Sequence, residues 1–303
     1  MKKKEILIIG GTGFIGYHLA KKCIKKKWQV TSISKHKPKK KRFQKKINYI
    51  IGDISNINFI KKNINRNYEY VVNLGGYVDH SSSVKRRKIV YESHFIGVKN
   101  IIDTLLNKDI KSFVQIGTGN EYGNKRSPHF ENISCKPRSA YAKAKFLSSQ
   151  YLIKCFKKFN FPVTILRIYQ VYGPKQDQNR FIPNIIEGCK KNRNFPCSEG
   201  KQSRDFLFID DAINAIIQSL ILKKSKGEII NIGLGKATKI KNIILLIKNI
   251  IGKGHPLFGK IKMRNDELKS IFPSIKKAKK ILNWTPRVSL KKGILKSIKQ
   301  YNI

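Results

Sequence analysis

Ile6-Leu7-Ile8-Ile9-Gly10-Gly11-Thr12-Gly13-Phe14-Ile15-Gly16 is the stretch on which the fold turns. The apolar residues read as a buried strand and the glycines as a tight turn. The amphipathic segment 17–27 reads as a helix. A helix N-terminus gathers unpaired N–H groups and positive dipole, so it attracts phosphate. Gly10 permits the turn, Gly13 lets backbone approach a pyrophosphate, and Gly16 allows close helix–strand packing. Gly11, Gly13 and Gly16 also fit the shorter G-x-G-x-x-G spacing. No Gly-Lys-Ser/Thr ending follows, which argues against a nucleoside-triphosphate loop.

Outward from this stretch, further strands are expected at 29–34, 48–51, 70–74, 112–117 and 163–168, with helices at 93–107 and 139–156. Such alternation predicts an α/β fold with a Rossmann-type, doubly wound parallel sheet. After Gly173-Pro174 the rhythm changes. Helices are expected at 181–191, 211–223, 240–251 and 276–282 and from Leu290, with short strands at 206–209 and 229–232. The expected division is a dinucleotide-binding domain over 1–170, rejoined by 205–236, and a smaller C-terminal substrate domain over 171–303. A cleft should lie at the C-terminal ends of the strands.

A chain of 303 residues with 40% apolar content has ample core for this plan. The five cysteines, Cys23, Cys135, Cys155, Cys189 and Cys197, form no C-x-x-C and stand beside no histidine at zinc spacing. A reducing compartment without a structural metal follows. Lys2-Lys3-Lys4 before an apolar run imitates a signal peptide, but glycines break the run and no small-residue cleavage site follows. No run approaches the roughly 20 apolar residues of a membrane helix, so a cytoplasmic protein is expected. The net charge of +46 comes mostly from lysines spread over the whole length, as an AT-rich codon bias produces. Aromatic residues do not interleave with the basic runs, and Lys37-Pro38-Lys39-Lys40-Lys41-Arg42 falls between two strands. Specific nucleic-acid binding is therefore not expected.

Two further places carry chemistry. The second strand ends Ser34-Lys35-His36-Lys37 with no acid to bind a ribose 2′-OH, and a hydroxyl with cations suits the 2′-phosphate of NADP. Asp53, ending the third strand, can accept from an adenine amino group or simply form a turn. Tyr141 and Lys145 stand at i, i+4 and share a helix face. An ammonium beside a phenol is expected to lower the phenol's pKa, which suits it to move a proton. Thr118, just past the fifth strand, can bind the same substrate oxygen.

Gly-Gly-Thr-Gly-Phe-Ile-Gly, Thr118-Gly-Asn-Glu-Tyr122-Gly, Tyr141-Ala-Lys-Ala-Lys145 and Leu166-Arg167 occur in that order. Tyr172-Gly173-Pro174, Arg204-Asp205-Phe206 with Asp210-Asp211, and Leu282-Asn283-Trp284-Thr285-Pro286 follow. Together they resemble the extended short-chain dehydrogenases/reductases, the nucleotide-sugar epimerases, dehydratases and reductases, over nearly the whole chain. The resemblance implies NAD(H) or NADP(H) held by Gly10, Thr12, Gly13, Phe14, Ile15, Gly16, Ser34, Lys35, Asp53, Ile54, Leu74 and Gly75. It implies a Thr118–Tyr141–Lys145 triad, with Tyr141 and Lys145 also contacting the cofactor. A nucleotide-diphosphate sugar would meet Gln170 and Arg204, and a homodimer would form through a helix pair.

Departures narrow the reaction. Gly119 and Asn120 stand where dehydratases carry Asp-Glu, and Glu121, if extended, points to the opposite face. His94 and Gln170 each stand where relatives carry Asn. Segments 172–183, 200–206 and 258–267 resemble CDP-abequose and CDP-paratose synthase-type reductases. The sequence therefore favours hydride transfer at C4 by a 4-keto-6-deoxyhexose reductase, with a UDP-hexose 4-epimerase as the alternative. A 4,6-dehydratase follows behind. The non-enzymatic alternatives are a cofactor-binding sensor or an RNA-binding relative of the same fold.

Overall fold

The run after Lys4 forms strand β1, Glu5–Ile9, and Ile6 to Ile9 are at most 1% exposed. Its alternate residues serve two cores, with Ile6 and Ile8 in one and Leu7 and Ile9 in the other. A strand covered by helices on both faces reads as a continuous apolar run, and this one does. The structure, a computed structural model, describes residues 3–77, 83–263 and 268–300. The end of the 258–267 segment, residues 264–267, lies outside the described residues.

The following strands are β2 (Gln29–Ser34), β3 (Ile47–Ile51), β4 (Tyr70–Asn73), β5 (Ser112–Thr118) and β6 (Val163–Ile168). With Ile229–Ile232 they make a seven-stranded sheet in the order Ile229–Ile232, β6, β5, β4, β1, β2, β3, all pairs parallel. The chain winds one way through β1, β2 and β3 and the other way through β4, β5 and β6. The switch falls between β1 and β4, where such sheets open a crevice beyond their C-terminal ends.

Helix α1, Phe14–Lys25, begins nearer the Gly turn than the 17–27 segment suggested, because Gly13 is its N-cap. It is followed by α2 (Ile57–Asn63), α3 (Val84–Tyr91), α4 (Gly97–Leu105), α5 (Ala140–Phe159) and α6 (Phe181–Lys190). The helix expected at 93–107 is longer. It starts with α3 and passes through a π-helical turn, Glu92–Ile96, into α4. Only Val90 of α3 is buried, so no apolar stripe announces that helix. Ser139 caps α5 by accepting from Ala142 N–H, and left-handed Asn160 ends it.

Beyond β6, Gln170–Tyr172 pairs with Phe206–Phe208, and Ser203–Arg204 pairs with Thr238–Lys239 and Ser270–Ile271. These short strands carry the second half of the chain over the sheet's C-terminal edge. Among the described residues, no helix is long and apolar enough to cross a membrane.

The Gly turn needs glycine at two places for different reasons. Gly10 has φ +82°, the left-handed region, and a Cβ on Gly16 would stand 2.3 Å from the Gly10 carbonyl oxygen. Gly16→Ala should therefore lower the unfolding free energy by about 1–3 kcal/mol, the usual cost of overpacking. Urea unfolding checks this, and an unchanged midpoint would mean that the turn yields freely.

Candidate active site

The C-terminal ends of β1, β4 and β5 open into one cavity of about 540 Å³. Gly10, Gly13, Phe14, Ile15 and Gly16 line one end, with Leu74 and Gly75 beside them. Thr118, Tyr141 and Lys145 also line it, as do Gln170 and Arg204. The helix N-terminus at Gly13 carries no side-chain cap, so its N–H groups remain available to a ligand.

Thr12, Ser34, Lys35, Asp53 and Ile54 stand off this lining. Thr12 N–H donates to Ser34 Oγ at 3.3 Å, which fixes the first turn against the end of β2. Lys35 Nζ lies 2.7 Å from Asp53 Oδ2, and Asp53 Oδ1 accepts from Ser55 N–H and Oγ–H at 2.9 and 2.8 Å. Burial pushes the Asp53 carboxyl up, but the hydrogen bonds from Lys35 and Ser55 outweigh it and hold it below its ordinary range. Lys35 and Asp53 are thus each other's partners. Ile54 is 7% exposed and packs where a Cβ on Gly97 would lie.

Thr118, Tyr141 and Lys145 all line the cavity, with Tyr141 and Lys145 one turn apart on α5. Thr118 ends β5 and caps a 3₁₀ turn, Gly119–Tyr122, with its hydroxyl accepting from Asn120 N–H at 3.3 Å. Its side chain also acts on Tyr141, favouring the ionised phenol. Lys145 is 4% exposed and donates Nζ–H to the Ile116 carbonyl at 2.7 Å.

The expected lowering of the Tyr141 pKa is not found. Burial, helped by the Glu121 charge, pushes the phenol up to about 12 against the Thr118 hydrogen bond and the Arg180 charge. Lys145, directed at Ile116, is not among the groups that shift it. Burial also drives Lys145 down to about 8, with Glu121 opposing. Desolvation outweighs the pair attraction that the spacing suggested.

His94 reaches the cavity from the π-helical turn, its ring edge-on to Tyr141 at 5.1 Å. Nε2 faces the Tyr77 carbonyl at 3.1 Å, so it carries the proton, and Nδ1 is left without a partner among the described residues. Burial, with the Lys145 charge, holds the imidazole well below its ordinary pKa, hence neutral.

Arg204 is turned onto the backbone. Its Nη1 donates to the Ser203 and Leu268 carbonyls, both at 2.8 Å. Neighbouring Asp205 accepts from Leu234 and Gly235 N–H, both at 2.7 Å. Gly119 and Asn120 face the cavity without a carboxyl, and Glu121 is fully buried behind it.

A strap that the sequence did not disclose forms another part of the wall. Arg42, 4% exposed, donates Nε and Nη2 to the Lys175 carbonyl at 3.0 and 2.8 Å. Its Nη2 also lies 2.8 Å from Asp177 Oδ2, and Lys39 Nζ lies 2.8 Å from Asp177 Oδ1. Burial pushes Asp177 up, but the bonds from Lys39 and Arg42 win and bring it down to about 2. Arg42, Gln176, Asp177 and Arg180 line the same cavity as the Gly turn. Arg42 was hidden in a lysine-rich run, and its partner is 135 positions away.

A Rossmann-type sheet with a Gly turn and a Thr–Tyr–Lys set in one cavity defines an extended short-chain dehydrogenase/reductase. The chain belongs to the NAD dependent epimerase/dehydratase family, whose model matches residues 6–233. It is 28% identical to a human dTDP-D-glucose 4,6-dehydratase over 98% of this chain and 90% of that one. It is 27% identical to a UDP-glucuronate 4-epimerase of Thermodesulfobacterium geofontis over 96% and 94%. The crystal structure of UDP-glucuronic acid 4-epimerase from Bacillus cereus, in complex with UDP-glucuronic acid and NAD, superposes with a TM-score of 0.90 at 26% identity. That match covers 98% of this chain and 99% of that one.

Burial of the phenol has a direct spectroscopic consequence. At about pH 10, where an ordinary tyrosine is half ionised, wild type and Tyr141→Phe should show equal phenolate absorbance, because Tyr141 titrates at about 12. A larger absorbance in the wild type would contradict a protonated resting phenol.

Proposed function

We propose that the protein interconverts the C4 epimers of a UDP-linked hexose, using NAD(H) that stays bound between turnovers. The residues fit such a cofactor. The uncapped N-terminus of α1 suits a pyrophosphate, and the crowded Gly turn leaves room for backbone approach. Asp53 neutralises Lys35 at the end of β2, which disfavours a 2′-phosphate there and supports NAD over the NADP that the bare sequence suggested. The nicotinamide, when bound, takes up and returns hydrogen at the sugar carbon.

The chain's own part is proton handling and positioning. Tyr141 exchanges a proton with the C4 oxygen, and Thr118, which lines the same cavity, orients that oxygen. Lys145, one turn along α5, holds a cation near the site, and an ammonium brought onto the Tyr141 oxygen lowers the cost of forming the phenolate. Arg180 and Arg204 supply positive charge at the wall where a diphosphate would lie. Positions 119 and 120 carry no acid or base, which disfavours dehydration despite the dehydratase relatives.

The observation that carries epimerisation over reduction is the Arg42–Asp177 strap. It joins the segment after β2 to the segment after Gly173-Pro174 as one wall of the cavity. A reductase must release its oxidised cofactor every turnover, whereas an epimerase regenerates its own and profits from a closed wall. The relatives named as 4-epimerases agree with this reading. The 4-keto-6-deoxyhexose reductase would use the same Thr118, Tyr141 and Lys145, so catalytic residues alone do not separate the two.

The test is a panel of UDP-glucose, UDP-galactose, UDP-glucuronic acid and UDP-galacturonic acid, with a trace of NAD. Epimers of at least one pair should interconvert with no net nicotinamide absorbance change. Tyr141→Phe should lower turnover by about a hundredfold or more, the typical loss of a general acid–base group. Asp177→Asn should make turnover depend on added NAD. Stoichiometric NADPH loss with a nucleotide 4-keto sugar, and no epimer formed, would overturn the proposal in favour of the reductase.

A further inference from the structure

Thr118-Gly119-Asn120-Glu121 closes a capping box at the end of β5. Such a box is an ordinary local device, but this one is fully buried. Glu121 is 0% exposed, and its oxygens reach three other elements. Oε1 accepts from Thr118 N–H at 2.9 Å. Oε2 accepts from Arg167 Nε on β6 at 2.9 Å and from Ser149 Oγ on α5 at 3.1 Å. The Ser149 hydroxyl also lies 3.1 Å from the Lys145 carbonyl, one turn earlier on the same helix. The carboxylate lies against β5 so closely that a Cβ on Gly117 would stand 2.6 Å from Oε1.

We propose that Glu121 is a positioning residue for the reaction proposed above. It fixes Thr118 relative to helix α5, and its carboxylate is the counter-charge of the Tyr141–Lys145 pair. The inference rests on that reading of the triad. Several features carry it together.

A buried ion pair is weak evidence of stability, since desolvating both ions costs about what their attraction returns. The Glu121–Arg167 pair, with side chains 0% and 3% exposed, therefore calls for a further role. Its location supplies one, because one carboxylate binds the main chain of Thr118 and the helix that carries Tyr141 and Lys145. The charged and titratable groups around it are Arg167 from β6, Tyr141 and Lys145 from α5, Cys135 from the segment before α5, and Tyr122 of its own turn. Glu121 raises the proton affinity of both Tyr141 and Lys145, and on Lys145 it opposes the effect of burial.

Two variants separate geometry from charge. Glu121→Gln with Arg167→Gln removes both charges together and keeps an acceptor for Thr118 N–H. Its pH–kcat profile should shift so that the acidic limb lies lower by about one pH unit, the scale of a neighbouring charge. Glu121→Asp keeps the charge but withdraws the carboxylate from Thr118. Its limb should stay in place while kcat falls about tenfold or more, as misplacement of a catalytic group does.

A purely structural role would depress kcat in the double variant without moving its limb, and that result overturns the proposal. Wild-type kcat in Glu121→Asp overturns it equally, and decides the matter alone if the double variant does not fold. Tyr141→Phe is measured in parallel. Normal turnover there would sink the reading of the triad itself, whereas its loss of turnover with an unmoved limb in the double variant would sink only the role of Glu121.

Discussion

The inner face of α5 is the constraint on which the rest of the site depends. Tyr141, Lys145, Ser148 and Ser149 follow helical spacing, and the last three each bind a different neighbour. Lys145 Nζ donates to Ile116 in β5 at 2.7 Å. Ser148 Oγ lies 2.6 Å from the His94 carbonyl in the π-helical turn. Ser149 meets Glu121, which in turn holds Thr118. With the helix locked in this way, Tyr141 has one place to be, beside Thr118 and in line with the Gly turn. The parallel sheet does the remaining alignment: Ile9 ends β1 opposite Asn73 of β4, Asn73 stands opposite Gln115, and β5 runs on to Thr118.

The same burial that fixes these groups works against their charges. The Tyr141 phenol is pushed up to about 12 and the Lys145 ammonium down to about 8. His94 stays neutral with its proton directed at Tyr77. In this state Tyr141 and His94 are neutral, and Lys145, still mostly protonated at neutral pH, carries the positive charge beside them. An oxidised nicotinamide and a diphosphate are both charged ligands.

Much of this was legible in the sequence because it rests on local rules. The apolar run into Gly10, the strand–helix alternation and the i, i+4 placement of Tyr141 and Lys145 need no distant partner to be read. What escaped depends on burial or on long-range pairing. Lys145 was expected to face the phenol, and its bond to Ile116 comes from the packing of α5 on β5. Lys35 was read as a cation for phosphate, but Asp53, 18 positions on, takes it. Glu121 was read as pointing away if the chain stayed extended. The chain instead turns as a 3₁₀ segment, which still takes the side chain out of the cavity and buries it on Arg167. Arg42 offered no signal at all, because lysines surround it and Asp177 lies far along the chain.

The central claim is hydrogen transfer at C4 with a cofactor that never leaves. Turnover of a UDP-hexose carrying deuterium at C4, in the presence of excess unlabelled free NADH, tests it most directly. The account predicts that the epimerised sugar keeps its deuterium at C4 and that the free NADH gains none. Deuterium in the free NADH pool, or lost to water, would contradict it.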